Sequence, residues 1–476
     1  MPKLVHHIFI SLICCLLLIN PARAQDATLT IDPSFRFQTM TGWEVLARGW
    51  EYDKAADRFD GSWYRDADLH DRIMDALVEE AGINRVRVEI RSGMENPVDY
   101  WAAFERGEIG YDEVKSRFYH KINDNADPFD ARPGGFQFSF LDFQIENIVK
   151  PLQERLNARG ETLYINLCVV DFRWGGEKQS DFSLARNPEE YAELVSQAIY
   201  HMQDRHGLVP DGLEVVLEPE NTNGWRGIQI GRAGVAATDR LQSRNITPEL
   251  LLPSVKNAQN AVRFFQSAIS VPGVWQRTRA LTYHRYAGRR AKILGEIRNV
   301  ARGRSVRVEM LEYTNGRVDD LIQDLIVAQA SAWQLYSIIA RHPPASQETA
   351  KSVMLYGSPE DGQVGLSHQG RELAQYFRYV RRGAQRIGSV SDNGDFLGLA
   401  FENPAEGLFP GTVLILRSKR AGSVAIQGLP AGRYGVSYSG RDVISAELPS
   451  LDVGADKVLL DVPEEAVVSI FPLPAE

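Results

Sequence analysis

Two glutamates that end strand-like runs are the residues of this sequence best placed to do chemistry. Glu218 and Glu312 each follow a short run of mostly apolar residues. Two facing carboxyl groups can share the cleavage of a glycosidic bond, because one protonates the leaving oxygen while the other attacks the anomeric carbon. Arg87 and His284 lie in two further strand-like runs. Arg87 could keep Glu312 ionised, and His284 could orient a neighbour.

Such a cluster needs elements that bring distant parts of the chain together. Strand-like runs alternate with helical patterns up to about residue 383, which favours a (β/α)₈ TIM barrel with catalytic groups at the carboxyl ends of its strands. Asn187 followed by Pro188 is typical of a helix start, and the stretch 321–340, apolar nearly all round, is predicted as a helix. The predicted barrel strands are 40–43, 84–90, 163–170, 213–217, 250–252, 280–284, 306–311 and 353–356.

The chain after the barrel has a different pattern. Short strands punctuated by Gly and Pro follow one another, which predicts a small C-terminal β-sandwich domain. The strand-like segment 28–31 precedes the barrel and is expected to pair with strands of this domain. The predicted organisation is therefore a signal peptide at 1–24, an N-terminal strand of the side domain at 25–36, the barrel at 37–383 and the β-sandwich at 384–476.

The first residues have the features of an export signal. Lys3 precedes the apolar run 8–19, and Ala22-Arg23-Ala24 matches a small-x-small cleavage site. The run is shorter than the ~20 residues that a membrane helix needs, so no membrane span is predicted. We expect a secreted or periplasmic protein that is cleaved near Ala24.

The net charge and the motifs of the sequence exclude some classes of partner and cofactor. The chain carries 62 acidic and 53 basic residues, a net charge of −9, which argues against nucleic acid as a partner. The sequence has neither a Gly-rich phosphate loop nor a His/Cys cluster with zinc spacing. No cofactor and no metal are therefore predicted, and the protein is expected to be a monomer.

Several motifs follow one another through most of the chain after residue 24. They lie at 38–43, 82–87, 187–221, 283–286, 311–313, 373–377 and 383–387. Their order and spacing resemble the family 30 glycoside hydrolases, which are retaining enzymes on (β/α)₈ barrels. The resemblance implies cleavage of β-glycosidic bonds in an oligo- or polysaccharide, with Glu218 as acid/base, Glu312 as nucleophile and Arg87 steadying the nucleophile.

One position departs from the family pattern. The family has Asn directly before the acid/base, where it usually binds the sugar 2-hydroxyl, and this chain has Leu217. Either another group makes that contact, or the substrate differs at that hydroxyl, or Glu220 is the acid in place of Glu218.

Aromatic and polar side chains near the predicted strand ends are candidates for substrate binding, since aromatic faces stack on sugars. About half of the aromatic residues could instead belong to the core. The candidates are Arg87, Trp43, Trp174, Trp225, Tyr283, His284, Tyr286 and Tyr313.

Two other functions are open at the level of sequence. Leu217 would also suit a catalytically impaired protein that binds carbohydrate on the same fold. Glu218, His284 and Glu309 could instead be the ligands of a metal-dependent barrel lyase or isomerase.

Overall fold

A computed structural model describes most of the chain. It covers residues 25–49, 52–53, 58–59, 61–173, 182–341, 353–358, 362–454 and 457–474. The predicted signal peptide, 1–24, and one candidate substrate-binding residue, Trp174, lie outside the described residues.

Eight parallel strands close into a barrel. Neighbours in the barrel are neighbours along the chain, and the last strand closes the circle by pairing with the first through Trp333 and Trp43. This topology confirms the predicted TIM-barrel fold. Barrel strands 1 to 8 are Gly42–Leu46, Arg85–Arg91, Tyr164–Val170, Gly212–Glu214, Glu249–Asn257, Thr278–Ala287, Arg307–Tyr313 and Ala330–Leu335.

The eighth strand is not the one that the sequence predicts. The predicted strand 353–356 belongs to Val353–Gly357, which pairs with Ser337–Arg341 and Val364–Leu366 in a separate three-stranded sheet. Barrel strand 8 lies within the stretch 321–340, for which the sequence predicts a helix.

That stretch combines several elements. The helix Val318–Gln323 continues into a π-helical turn, Asp324–Ala328, and two strands follow. All six residues of barrel strand 8 are buried. An apolar run buried on every side lacks the periodicity that separates a strand from a helix, and the helix prediction for this part of the chain is wrong for that reason.

Helices cover the outside of the barrel. The longest described helix, Pro188–His206, begins after Asn187 as predicted and ends at Gly207, whose φ of 68° is the left-handed conformation that glycine favours at a helix end. Besides this helix and Val318–Gln323, the described α-helices are Ser62–Arg65, Ala67–Asp75, Tyr100–Glu105, Tyr111–Arg117, Ser139–Gln144, Lys150–Ala158, Gly227–Leu241, Ala261–Ile269, Val274–Arg277, Ala291–Gly303 and His368–Phe377.

The C-terminal β-domain is a nine-stranded mixed sheet. The N-terminal strand Ala27–Thr39 runs antiparallel to Gln385–Ser391 and parallel to Gly422–Gln427, which confirms the predicted pairing of 28–31. In spatial order the strands are Ala446–Val453, Gly432–Ser439, Ala466–Pro472, Gly411–Ser418, Phe396–Asn403, Gln385–Ser391, Ala27–Thr39, Gly422–Gln427 and Val458–Val462. The sheet has an apolar core of its own.

Among the described helices, none combines the length and the apolar character needed to cross a membrane.

Candidate active site

Barrel strand 6 brings two polar side chains into the barrel. Successive side chains of a strand point to opposite faces. His284 and Tyr286 therefore share the inner face and make hydrogen bonds to the two candidate glutamates. Tyr283 and Arg285 share the outer face, where both bind Asp324.

Glu312 ends barrel strand 7 in an almost closed environment. The pairing register with strand 6 shifts between Met310 and Glu312, so Glu312 faces the barrel although it lies three residues from the inward-facing Glu309. Arg87 donates from Nη2 to Oε2 at 2.6 Å, and the Tyr286 hydroxyl donates to Oε1 at 2.7 Å. Burial opposes ionisation, but Arg87, His284 and Tyr286 together outweigh it and hold the pKa of Glu312 below its usual range.

Glu218 follows barrel strand 4 in a strained backbone conformation. Its φ of 42° and ψ of 67° lie in the left-handed region, which non-glycine residues enter at a cost of about 1–3 kcal/mol. The backbone N–H donates to the carbonyl of Ser254 at 2.9 Å. His284 Nδ1 lies 3.1 Å from Oε1, and Asn221 donates from Nδ2 to Oε2. These contacts hold the carboxylate at the carboxyl end of the barrel.

The two carboxylates and the imidazole form one compact group. One oxygen of Glu218, one oxygen of Glu312 and a ring nitrogen of His284 all lie within 4.8 Å of one another. All three side chains are buried. Burial lowers the pKa of His284, but Glu312 and Glu218 together raise it above its usual value. The two carboxylates thus favour the protonated form of His284.

Residues deeper in the barrel support this group. His284 Nε2 lies 3.3 Å from the hydroxyl of Ser254, which in turn donates to Glu214. Asn166 donates to the other oxygen of Glu214 at 2.6 Å. Burial raises the pKa of Glu214. This buried chain fixes the ring of His284, and through it the Glu218 carboxylate.

Glu220 has a different environment from Glu218. Its oxygens accept from the backbone N–H groups of Lys256 at 2.9 Å and Asn257 at 3.2 Å. The Glu220 carboxylate thus anchors the end of barrel strand 5, and Glu218 is the residue of this segment that meets His284.

Three of the aromatic candidates are wrong as substrate contacts. Trp43 stacks on Phe377 with ring centroids 4.5 Å apart, in the layer between barrel and helices. Tyr283 donates to Asp324 at 2.5 Å in the same layer. Trp225 donates to Asp171 at 2.9 Å and is fully buried. These side chains fill the core, because strand alternation or loop packing turns them away from the barrel mouth.

Tyr313 lies beside the site without touching either carboxylate in a described hydrogen bond. Its hydroxyl accepts from Arg289, and its ring meets the edge of Tyr286 at a centroid distance of 6.0 Å. Tyr313 therefore belongs to the wall of the site, whereas Tyr286 belongs to its centre.

Leu217, the residue before Glu218, is buried in an apolar cluster. It packs in a buried cluster with Cys168 and Val170, and Tyr119 and Phe172 cover this cluster. The position before Glu218 thus holds a buried apolar side chain where the resemblance implies a hydrogen-bonding amide.

The metal ligands predicted for a lyase or isomerase do not come together. Glu309 is paired with Arg85 at 2.8 Å and Arg307 at 3.1 Å. Although burial opposes ionisation, these arginines lower the pKa of Glu309 to about 2. Glu312 takes the place of Glu309 beside Glu218 and His284, and there the guanidinium of Arg87 disfavours a further cation.

Sequence reasoning missed two residues of the site. Asn221 lies three residues after Glu218 in the 3₁₀ turn Pro219–Asn221, and that spacing could have revealed it. Ser254 reaches the site only because strands 4, 5 and 6 are neighbours, which no local pattern encodes.

Solved structures share this architecture. Xylanase C of family 30 from Talaromyces cellulolyticus matches with a TM-score of 0.67 and 15% identity, over 94% of this chain and all of that one. A conserved exported protein from Bacteroides fragilis matches with a TM-score of 0.65 and 14% identity, over 93% of this chain and 100% of that one. An endo-β-1,6-glucanase matches with a TM-score of 0.64 and 12% identity, over 94% of both chains.

This chain has the fold of the family 30 glycoside hydrolases. At these identities the likeness establishes the fold alone. No protein-family model and no curated protein sequence matches the chain.

Proposed function

We propose that the protein is a retaining glycoside hydrolase that cleaves β-linked oligo- or polysaccharides, with Glu218 as acid/base and Glu312 as nucleophile. The observation that carries the proposal is the pair of facing carboxylates, whose nearest oxygens lie within 4.8 Å. Retaining enzymes have carboxyl groups ~5–5.5 Å apart, whereas inverting enzymes leave ~6.5–9.5 Å for a water molecule. The family 30 enzymes that share the fold support the choice of reaction.

The surroundings of Glu312 suit its proposed role as nucleophile. Arg87 and Tyr286 keep Glu312 ionised, as attack on the anomeric carbon requires. Glu218 faces it from the opposite strand and gives a proton to the leaving oxygen. In the second step Glu218 takes a proton from water, and this water releases the sugar from Glu312 with overall retention.

Substitution of the two glutamates tests the assignment on a panel of aryl β-glycosides. Glu312→Ala should abolish nearly all turnover, because no covalent intermediate can form. Glu218→Ala should cost about 10²–10⁴-fold with poor leaving groups and should spare the first step with a dinitrophenyl leaving group. Azide should then rescue Glu218→Ala with a product of retained configuration, and any azide product of Glu312→Ala should be inverted.

Glu220→Ala is the matched control, because it removes a carboxylate of the same segment that binds backbone N–H groups instead of His284. Glu220→Ala should lower the stability of the protein, but the dependence of its turnover on the leaving group should match that of the parent protein. If Glu220→Ala has the acid phenotype while Glu218→Ala behaves like the parent protein, Glu220 is the acid. Full activity in both Glu218→Ala and Glu312→Ala would contradict the hydrolase proposal.

The buried apolar side chain of Leu217, where the resemblance implies a hydrogen-bonding amide, favours one alternative, a protein that binds carbohydrate without turning it over. In that case no glycoside of the panel would be hydrolysed, and a fluorosugar would leave no covalent adduct on Glu312. Calorimetric titration would still detect binding of an oligosaccharide.

We also infer that the chain is exported and cleaved near Ala24. The charged start, the apolar run 8–19 and Ala22-Arg23-Ala24 support this inference. Amino-terminal sequencing of the exported protein should begin at Gln25, and an uncleaved start would contradict it.

A further inference from the structure

A second cluster of ligand-type side chains lies on the outside of the barrel. It joins the helix Ser139–Gln144 to the carboxyl end of the helix Pro188–His206. His201 Nε2 lies 2.6 Å and His206 Nε2 2.7 Å from the same oxygen of Asp142. We propose that these three residues bind a divalent transition-metal ion of the zinc class.

The chemistry of the three side chains fits such an ion. Two imidazoles and one carboxylate are a common protein ligand set for zinc, with water completing the coordination. The three ligand atoms all lie within 4.8 Å of one another. Ligand atoms that lie ~2.0–2.1 Å from a tetrahedral ion are ~3.3–3.4 Å apart, so small side-chain rotations have to open the 2.6 and 2.7 Å contacts between the two imidazoles and Asp142.

Burial and stacking prepare this geometry. The ring of His201 stacks on Phe138 with a centroid distance of 4.1 Å and an angle of 9°, which fixes its plane. The side chain of His206 is 1% exposed, whereas those of His201 and Asp142 are 19% and 15% exposed. The cluster is therefore held from inside and open at one edge, where an ion and its water ligands can enter.

The charges around the cluster leave room for a cation. Arg205 lies 3.4 Å from the second oxygen of Asp142 and 3.2 Å from Glu146. With neutral imidazoles, Asp142, Glu146 and Arg205 sum to −1, so a divalent ion would meet a net negative charge. The ligands come from positions 142, 201 and 206, and this separation explains why no zinc motif is visible in the sequence.

A bound ion would act on structure and not on the proposed reaction, because Glu218 and Glu312 lie on other elements. Phe138 and Asp142 belong to the start of the helix that follows the long segment after barrel strand 2. Metal binding would fasten this part of the chain to the helix Pro188–His206. Binding to the folded state alone also raises the unfolding temperature.

Equilibrium dialysis of the full exported chain against Zn²⁺ at neutral pH tests the proposal. The parent protein should bind one ion, and its Tm should rise with Zn²⁺. His201→Gln and Asp142→Asn, each checked for a native circular dichroism spectrum, should bind at least about 10-fold more weakly and lose the rise in Tm.

Two variants serve as controls. His70→Gln removes another half-buried histidine, whose Nε2 meets the carbonyl of Asn147, and Glu312→Gln alters the only other described group of potential ligands. Both should bind Zn²⁺ as the parent does. Absence of binding in the parent, undiminished binding in both His201→Gln and Asp142→Asn, or binding lost in Glu312→Gln would each overturn the proposal. If the parent does not bind Zn²⁺, or if both ligand variants bind it undiminished, the role of the two imidazoles is limited to hydrogen bonds with Asp142.

Discussion

Glu312 keeps its charge in a nearly closed site because donors and cations surround it. Arg87 and Tyr286 each bind one of its oxygens, and His284 adds a nearby positive charge. Burial alone would favour the neutral acid, so the ionised state depends on these neighbours. Removing one donor at a time should therefore move the pH at which Glu312, the proposed nucleophile, becomes ionised.

Tyr286→Phe should shift the acidic limb of the kcat/KM profile to higher pH. The substitution removes the hydroxyl that binds Glu312 Oε1 at 2.7 Å. A hydrogen bond to a charged group contributes about 1.5–3 kcal/mol, which corresponds to a rise of about 1–2 units in the pKa of Glu312. The measurement is hydrolysis of an activated aryl glycoside as a function of pH.

Tyr283→Phe is the matched control, three residues away on the same strand. It removes a hydroxyl that binds Asp324 outside the barrel. The unfolding free energy should fall by about 1–3 kcal/mol, and the pH profile should stay unchanged. Equal pH shifts in the two variants would contradict the arrangement of strand 6.

Much of the site was predictable at this scale. Glu218, Glu312, Arg87 and His284 were identified from residue type and strand position. The candidates that face away from the barrel interior, such as Tyr283, share a strand with His284 and Tyr286, which face into it. Side chains alternate strictly between the two faces of the strand along 282–286. This alternation places Tyr286 with His284 on the inner face and Tyr283 on the outer face.

At the scale of elements, the sequence predicts the amphipathic helices correctly but not the fully buried stretch 321–340. The helix after Asn187 begins where its cap and proline predict. Barrel strand 8, Ala330–Leu335, lies in a run whose residues are apolar on every side. This segment is a strand because it pairs with both strand 7 and strand 1, and that pairing depends on the closure of the whole barrel. The register shift before Glu312 is equally non-local.

Gly82 shows how closely the elements approach below the barrel. It precedes barrel strand 2 with a φ of 78°, and an added Cβ would lie 2.4 Å from the backbone of Phe377 and Arg378. Gly82→Ala should therefore lower the unfolding free energy by about 2–4 kcal/mol, since left-handed strain adds to a backbone clash. Urea-induced unfolding measures the change.

Gly160→Ala isolates the contribution of the clash. Gly160 precedes barrel strand 3 with a φ of 74°, but an added Cβ would meet nothing within 4 Å. Its substitution should cost only about 1 kcal/mol, from backbone strain. If both variants lose the same free energy, the end of the helix His368–Phe377 does not constrain Gly82.

At the scale of the whole molecule, buried carboxyl groups couple stability to pH. Glu95, from the segment after barrel strand 2, and Glu193, from the helix Pro188–His206, are 1% and 2% exposed. Burial, together with neighbouring acidic groups such as Asp124 and Glu190, raises the pKa of Glu95 to about 8 and that of Glu193 to about 7. In the folded protein both carboxyls thus retain protons that the unfolded chain releases near pH 4.3–4.5.

The unfolding free energy should therefore fall as pH rises from about 5 to 8.5. The folded state binds more protons than the unfolded state in this range, so the slope of stability against pH is negative. The contribution of Glu95 and Glu193 is fully present below their unfolded pKa values and is lost as pH passes their folded values. With allowance for partial screening by solvent, we expect a loss of roughly 2–4 kcal/mol from the two groups.

The double variant Glu95→Gln/Glu193→Gln should flatten this slope, because an amide fills the same space and does not titrate. At pH 8.5 the variant should be more stable than the parent, and near pH 5 the two should be similar. Glu402→Gln is the control, since Glu402 pairs with Arg36 at 2.9 Å where both side chains are about half exposed, and the slope should be kept. Urea titrations at several pH values measure all three proteins. A parent whose stability rises from pH 5 to 8.5, or a double variant with the parental slope, would show that these carboxyls are ionised in the fold.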